Sequence, residues 1–177
     1  AVDPALRQLL AVVRCRDASG AEALSAALST ADWEKLLRAA AAHRLLGLTY
    51  RRARDYWRGE PPAFAQSALS AAYRASSTRA LRQEARLLDV VTRLDAVGIA
   101  AVPFKGPVLA RLVYGDAGLR YSSDLDVLVR AADFSLAVRT LAESGWHPAS
   151  QAQTAQHDLL EDAECELLLE HAGTGLF

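Results

Sequence analysis

Apolar residues in the first hundred positions recur at steps of three and four, which is the spacing of amphipathic α-helices. Asp3 and Pro4 form a typical helix start, and Thr30 is a suitable N-cap for a later helix. The longest helical pattern extends from Pro62 to Gly98, where a glycine is well placed to end it. The buried stripe expected of this long helix comprises Leu81, Leu88, Val91 and Leu94.

Short apolar runs separated by turn residues replace this pattern after residue 98, which indicates strands that alternate with helices. The predicted strands are Ile99–Phe104, Asp124–Val129 and Glu164–Glu170. The predicted helices between them are Val108–Tyr114 and Ala132–Ser144. The expected fold class is therefore α/β (α+β), with an N-terminal helical region over residues 1–77 and a core with a small mixed sheet over residues 78–177.

The overall composition is that of a globular protein, because 51% of the 177 residues are hydrophobic and 23% are charged. The net charge of −1 argues against bulk electrostatic binding to nucleic acid or to an anionic membrane. No apolar run reaches the ~18 residues that a membrane-spanning helix needs. Cys15 and Cys165 are far apart in the chain, and so few cysteines are typical of the reducing cytoplasm.

Charge is distributed unevenly along the chain. Residues 1–100 contain fifteen Arg or Lys and ten Asp or Glu, whereas residues 101–177 contain five and eleven. The acidic C-terminal part is where cations would collect, although ordinary variation of a solvated surface gives the same counts.

Asp124 and Asp126 are two residues apart at the start of a mostly apolar strand, so their side chains are predicted to share one face. Two neighbouring carboxylates repel each other and resist desolvation unless a positive charge lies between them. Divalent cations are one solution, and two such ions ~3.5–4 Å apart can activate a hydroxyl and stabilise a leaving pyrophosphate. The alternative is structural, with Asp124 capping the loop and Asp126 paired with an arginine.

A third carboxylate on a neighbouring strand would complete such a metal site. Glu166 and Glu170 are four residues apart on the third predicted strand, which places both on one face. Either residue could contribute, and each could equally be a solvent-facing charge on an edge strand. The four histidines have no metal-ligand spacing, so the carboxylates are the candidate ligands.

Lys105, Gly106 and Pro107 lie where the first predicted strand changes into a helix. Free backbone N–H groups and the helix dipole at such a turn favour anions such as phosphate, and Lys105 adds a positive charge. Arg120 and Ser123 flank the aspartate pair and could contact phosphate oxygens as well. An ordinary turn with a solvated lysine, and a local salt bridge for Arg120, are the alternatives.

Three motifs lie close together in the second half of the chain. They are Phe104-Lys105-Gly106, Tyr114-Gly115-Asp116, and Arg120 followed by Ser123-Asp124-Leu125-Asp126-Val127-Leu128-Val129. Taken together they resemble the nucleotidyltransferases of the DNA polymerase β superfamily, and most of all a bacterial branch with a Lys-Gly turn before the Asp-x-Asp strand. The resemblance is specific over about residues 99–145. Members of that branch continue into a further helical segment, so we expect the chain to be a fragment.

The resemblance implies a Mg²⁺-dependent transfer of a nucleotidyl group from a nucleoside triphosphate, with ATP as the expected donor, to a hydroxyl of a small molecule, a peptide or a protein. It implies that Asp124 and Asp126 hold two Mg²⁺ ions. Glu170 is the preferred third carboxylate, because His171 follows it as a histidine follows the acid in that branch. The implied phosphate contacts are Lys105, Gly106, Arg120 and Ser123. The alternative is a catalytically degenerate nucleotide-binding or protein-interaction module of the same fold.

Overall fold

The computed structural model of the protein describes residues 3–15, 28–56, 61–149 and 167–171. The fold is α+β, as predicted, with the helical region first and small antiparallel sheets after it. The described helices are α1 (Pro4–Arg14), α2 (Thr30–Ala42), α3 (Leu46–Tyr56), α4 (Ala63–Ala96), α5 (Gly106–Tyr114) and α6 (Phe134–Ala142). The described strands are β1 (Val102–Phe104), β2 (Asp126–Leu128), β3 (Trp146–Pro148) and β4 (Leu169–His171), with short 3₁₀ segments at Ala117–Leu119 and Ala131–Asp133. Within these ranges no helix combines the length and apolar character that a membrane span requires.

The chain forms two compact units. The described residues of the first fall within 1–82 and 107–122, and those of the second fall within 83–106 and 123–177. The predicted boundary after residue 77 falls inside the continuous helix α4. The assignment of a helical region and a nucleotidyltransferase core on either side of that boundary stays a prediction.

Helices α1 to α3 and the start of α4 pack around one apolar cluster in the first unit, in which Trp33 and Leu36 are buried. Helix α2 begins with a capping box, because the Asp32 N–H donates to Ser29 Oγ at 3.3 Å and the Ser29 N–H donates to the Asp32 carboxylate at 3.1 Å. The Ser29 hydroxyl also holds the pKa of Asp32 below its ordinary value. The predicted cap, Thr30, was wrong by one residue because both hydroxyl side chains suit the position.

The long helix α4 buries a different stripe from the predicted one. Leu81 and Leu88 are 62% and 68% exposed, and of the predicted stripe Leu94 is buried. The buried apolar positions of α4 are Ala65, Leu69, Ala80, Leu87, Val90 and Leu94. The alanine-rich sequence has apolar residues on more than one face, so periodicity alone does not select the buried one.

Two antiparallel strand pairs occupy the described part of the second unit, in place of one mixed sheet. Strand β1 pairs with β2, with Pro103 opposite Val127 and Phe104 opposite Asp126. Val127 and Val129 pack against the core of this unit. Its buried residues are Val90, Leu94, Ile99, Ala137 and Leu141.

The second pair joins β3 to β4. Strand β3 was not predicted, because three residues are too few to show an alternating pattern. The third predicted strand, Glu164–Glu170, corresponds to β4, which begins at Leu169. Residues 164–166 of that prediction lie outside the described residues.

Asp116 anchors the loop that follows α5 in the first unit. Its Oδ1 accepts the Gly118 N–H at 2.9 Å, its Oδ2 accepts the Tyr73 hydroxyl at 2.7 Å, and Arg51 Nη1 lies 3.7 Å from Oδ2. A Cβ at Gly118 would overlap α4, so only glycine permits this close approach. Asp116 therefore ties the loop to α3 and α4 at once.

The Tyr73→Phe variant is expected to lower the free energy of unfolding by about 1 kcal/mol, because Asp116 loses a hydrogen bond. The ring, which stacks on Tyr50 at 4.7 Å, is kept. The hydrogen bond to Asp116, together with burial, raises the pKa of Tyr73. The contribution of the Tyr73 hydroxyl to stability is therefore complete below the pKa of ~10 in the unfolded chain. It is lost as pH rises through the higher pKa in the folded protein.

Urea unfolding at about pH 8 and about pH 11 measures both effects, with Tyr50→Phe as the matched control. We expect the stability difference between Tyr73→Phe and the native protein to shrink at the higher pH. An undiminished difference at the higher pH would contradict this assignment.

Candidate functional site

Asp126 opens β2 on the face turned away from the core of the second unit. Side chains alternate along a strand, and Val127 and Val129 pack on the core, so Asp126 projects to the opposite side. Its side chain is 17% exposed, whereas Asp124 is an exposed residue. Asp124 lies with Ser123 in the bend before β2, and not in the strand as predicted. Strand alternation therefore does not by itself place Asp124 and Asp126 on one face.

Lys105 supplies a positive charge beside Asp126. Its Nζ lies 3.4 Å from Oδ1 of Asp126 and 4.8 Å from the ring centroid of Phe104, the residue opposite Asp126 in the sheet. The alternative of an Asp126–arginine pair is thus replaced by a pair with lysine. Lys105 has a φ of +55° and Gly106 a φ of +44°. A left-handed φ costs a non-glycine residue on the order of 1 kcal/mol, and such strain is concentrated at functional sites.

A cavity of about 440 Å³ lies along the edge of β2. The consecutive residues 124–129 line it, together with residues 167–169 and Lys105. Neighbouring residues of a strand point to opposite faces, so an uninterrupted run of lining residues places the cavity at the edge of the strand. Its volume lies within the range of small-molecule pockets, roughly 300–1,000 Å³. The site therefore combines two carboxylates, one ammonium group and a space for a ligand.

Glu170 is not grouped with the aspartate pair in the part of the chain that the structure describes. Glu170 lies in β4 opposite His147, and β4 pairs with β3. Among the described residues, no group of three or more His, Cys, Asp or Glu side chains could hold a metal ion. Glu166 lies outside those residues. The role of either glutamate as a metal ligand therefore stays a prediction.

The predicted phosphate-binding residues are divided between the two units. Lys105, Gly106 and Ser123 belong to the second unit, and Arg120 belongs to the first. Gly106 is buried and begins α5, Ser123 is exposed, and Arg120 is half-buried after the 3₁₀ segment. The structure brings Lys105 to Asp126, and the phosphate contacts of all four residues stay predictions.

Phe104 is a residue of the site to which the sequence assigned no role. Its ring lies beneath the Lys105 ammonium, and a cation–π contact at an exposed site is worth about 0.5–1 kcal/mol. Its position directly before Lys105 was a usable signal, but its proximity to Asp126 depends on the β1–β2 register. The apolar wall of the cavity, which includes Trp146 and Leu169, was also not predicted.

The aspartate pair has the chemistry of a divalent-cation ligand set, because carboxylate oxygens are the hard donors that Mg²⁺ prefers. Lys105 lies close to Asp126, so a metal ion that binds Asp126 would compete with the ammonium group. A metal ion bound together with a nucleotide at these residues therefore stays a prediction.

A protein-family model matches residues 29–174, which is most of the chain. The family is described as "Uncharacterised nucleotidyltransferase". The matched region extends from α2 through β4, so it includes the Lys-Gly turn, the aspartate pair and Glu170. No match was found among curated proteins or among solved structures.

The Lys105→Met variant is expected to change the free energy of unfolding by less than about 0.5 kcal/mol, because exposed ion pairs contribute little to stability. The Lys105 side chain is 57% exposed, and methionine keeps most of its stem. Urea unfolding measures the difference. A loss of more than about 1.5 kcal/mol would show that the ammonium group stabilises the fold and is not held available for a ligand.

Proposed function

Because the chain belongs to this nucleotidyltransferase family, we propose that it transfers a nucleoside monophosphate group from a nucleoside triphosphate to a hydroxyl group. The observation that carries the proposal is the pairing of Asp126 with Lys105 beside Asp124, at a cavity large enough for a small ligand. ATP is the proposed donor, and the acceptor is a small molecule, a peptide or a protein. A polymerase-β-like core and a place in the bacterial cytoplasm are parts of the same proposal.

Asp124 and Asp126 would hold Mg²⁺ in this reaction, with Glu170 or Glu166 as the third carboxylate. Bound there, magnesium would lower the pKa of the acceptor hydroxyl and neutralise charge on the transferring phosphoryl group. Lys105 would attract the triphosphate, since its ammonium group is largely exposed. A metal ion bound to Asp126 would also free Lys105 from that carboxylate. Gly106, Ser123 and Arg120 would add hydrogen bonds to phosphate oxygens. The described residues offer few ligands for a metal ion, so these phosphate contacts would contribute to binding of the nucleotide.

The proposed reaction is a displacement at the α-phosphorus of the nucleoside triphosphate. A bond forms between the acceptor oxygen and that phosphorus, the bond to the bridging oxygen breaks, and pyrophosphate leaves with the bonding electrons. The hydroxyl proton passes to a basic group or to water. The protein's task is to hold the acceptor and the α-phosphate in line, because positioning and electrostatic stabilisation supply most of the rate in phosphoryl transfer.

A second candidate function is nucleotide binding without transfer. One specific observation favours it, namely that the described residues hold no three-carboxylate group around the aspartate pair. Lys105 and the exposed Asp124 would still bind a triphosphate with one metal ion. Release of pyrophosphate separates the two functions, because only transfer produces it.

The Asp126→Asn variant is expected to lower pyrophosphate release from ATP by about 100-fold or more, since it removes a charged group that acts on the transition state. It should also abolish Mg²⁺-dependent ATP binding in calorimetry. Asp95→Asn is the matched control, because Asp95 is an exposed aspartate on α4 in the same unit. Equal ATP binding by the two variants would contradict the assignment of Asp126 to the metal.

Glu170→Gln and Glu166→Gln distinguish the two candidate third carboxylates. The residue that completes the metal site should lose Mg²⁺-dependent transfer when its charge is removed, because a buried or bridging carboxylate cannot be replaced by an amide. The other variant should retain turnover within about threefold, as surface substitutions do. Pyrophosphate release at several Mg²⁺ concentrations measures both. Retained activity in both variants would leave the site with two carboxylates and would disprove the prediction of a third.

A further inference from the structure

Two arginine side chains of the first unit pack on one aromatic ring. The guanidinium carbons of Arg44 and Arg79 lie 4.5 Å and 5.0 Å from the ring centroid of Tyr121. These distances add to 9.5 Å, so the two cationic groups are no farther apart than that. Arg44 follows α2, Arg79 lies on α4, and Tyr121 lies in the loop after the 3₁₀ segment. Three separate parts of the chain therefore create the cluster.

The cluster holds two positive charges with no described anion to balance them. Within the described residues the side chains of Arg44 and Arg79 form no hydrogen bond or ion pair, whereas those of Arg51 and Arg54 in the same unit both bind Asp55. A guanidinium group carries several N–H donors, and a contact with one ring leaves most of them available. Two like charges within 9.5 Å of each other repel, so a bound anion would stabilise the arrangement.

Arg44 occupies a backbone position that normally favours glycine. It follows His43, the C-cap of α2, with a φ of +57°, and its N–H donates to Ala41 O at 3.1 Å. The next N–H, that of Leu45, donates to Ala40 O at 2.7 Å. This pair of hydrogen bonds is the Schellman motif, in which glycine is the usual residue because it has no Cβ. Arg44 therefore places a long cationic side chain at a position where glycine would fit the backbone better.

From these observations we propose that Arg44, Arg79 and Tyr121 form a second ligand site, which binds a phosphate group. Phosphate suits the cluster because it carries up to two negative charges and presents several oxygens to two planar N–H forks. Tyr121 holds both guanidinium groups in place, so it acts as a positioning residue. The site lies in the first unit, and its existence does not depend on Asp124, Asp126 or a metal.

The phosphate could belong to the triphosphate of the nucleotide donor or to a monophosphate on another molecule. The chemistry of the contact is the same in both cases. Calorimetric titrations of the full chain with inorganic pyrophosphate, inorganic phosphate, ATP and AMP distinguish these sources. All are carried out with a chelator present, so that the proposed metal site contributes nothing to the heat.

Arg44→Gly and Arg79→Gln are each expected to weaken pyrophosphate binding about tenfold, which corresponds to ~1.4 kcal/mol. Arg74→Gln is the matched control, because Arg74 is an exposed arginine on the same helix as Arg79 and contacts no ring in the described structure. Tyr121→Leu should weaken binding and Tyr121→Phe should preserve it, since only the ring is needed. Asp95→Asn, a change of an exposed aspartate on α4, should leave metal-free binding unchanged.

The melting temperature separates binding from folding in the Arg44→Gly variant. Glycine relieves the left-handed strain, so this variant should melt at the same temperature as the native protein or a few degrees higher while it binds less pyrophosphate. Binding of pyrophosphate and ATP alone would identify a polyphosphate site, and equal binding of AMP and inorganic phosphate would identify a general phosphate site. No pyrophosphate binding by the native protein, or an equal loss in Arg74→Gln, would overturn the proposal.

Discussion

The packing of Val127 and Val129 on the core of the second unit is the constraint on which the site depends. These two side chains fix one face of β2 inward, and alternation then turns Asp126 outward. The antiparallel register with β1 places Phe104 opposite Asp126, and the next residue, Lys105, brings its ammonium group to 3.4 Å. A shift of the strand pairing by one residue would turn the valines outward and bury the Asp126 carboxylate. The burial of the valines therefore fixes the outward position of Asp126.

The ion pair at the site contributes little to the fold. The Lys105 side chain that faces Asp126 is 57% exposed, and exposed ion pairs add little stability. The left-handed φ of Lys105 adds a local cost. Both features are consistent with residues selected for a ligand that carries charge of both signs, as a nucleotide with Mg²⁺ does. Transfer rather than binding alone then depends on a third carboxylate.

The first unit has a comparable arrangement of opposite sign. Asp116 is satisfied by Tyr73 and by a backbone N–H, and it holds the loop that leads to Tyr121. The two arginines on that tyrosine have no such balance within the described residues. Arg44 in the first unit and Lys105 in the second are the two described non-glycine residues with a left-handed φ. Each of them lies next to a candidate site for phosphate.

The sequence by itself determined the fold class, and it identified helices and charged groups from local patterns. Periodicity identified helices in the first hundred residues, Gly98 marked the end of α4, and the spacing of Asp124 and Asp126 identified the carboxylate pair. These features are local, because they depend on residues within one or two turns of each other. The buried face of α4 could not be predicted from local sequence. Its alanines make several faces apolar, and packing against neighbouring elements decides which of them is buried.

Tertiary structure alone decided which charges meet. The approach of Lys105 to Asp126 required the β1–β2 register, the pairing of β4 with β3 placed Glu170 opposite His147, and the cluster at Tyr121 required three distant segments. No spacing in the chain encodes these contacts, because each joins residues whose separation depends on how several elements pack. The sequence therefore specified which groups are available for chemistry, and packing specified which of them act together.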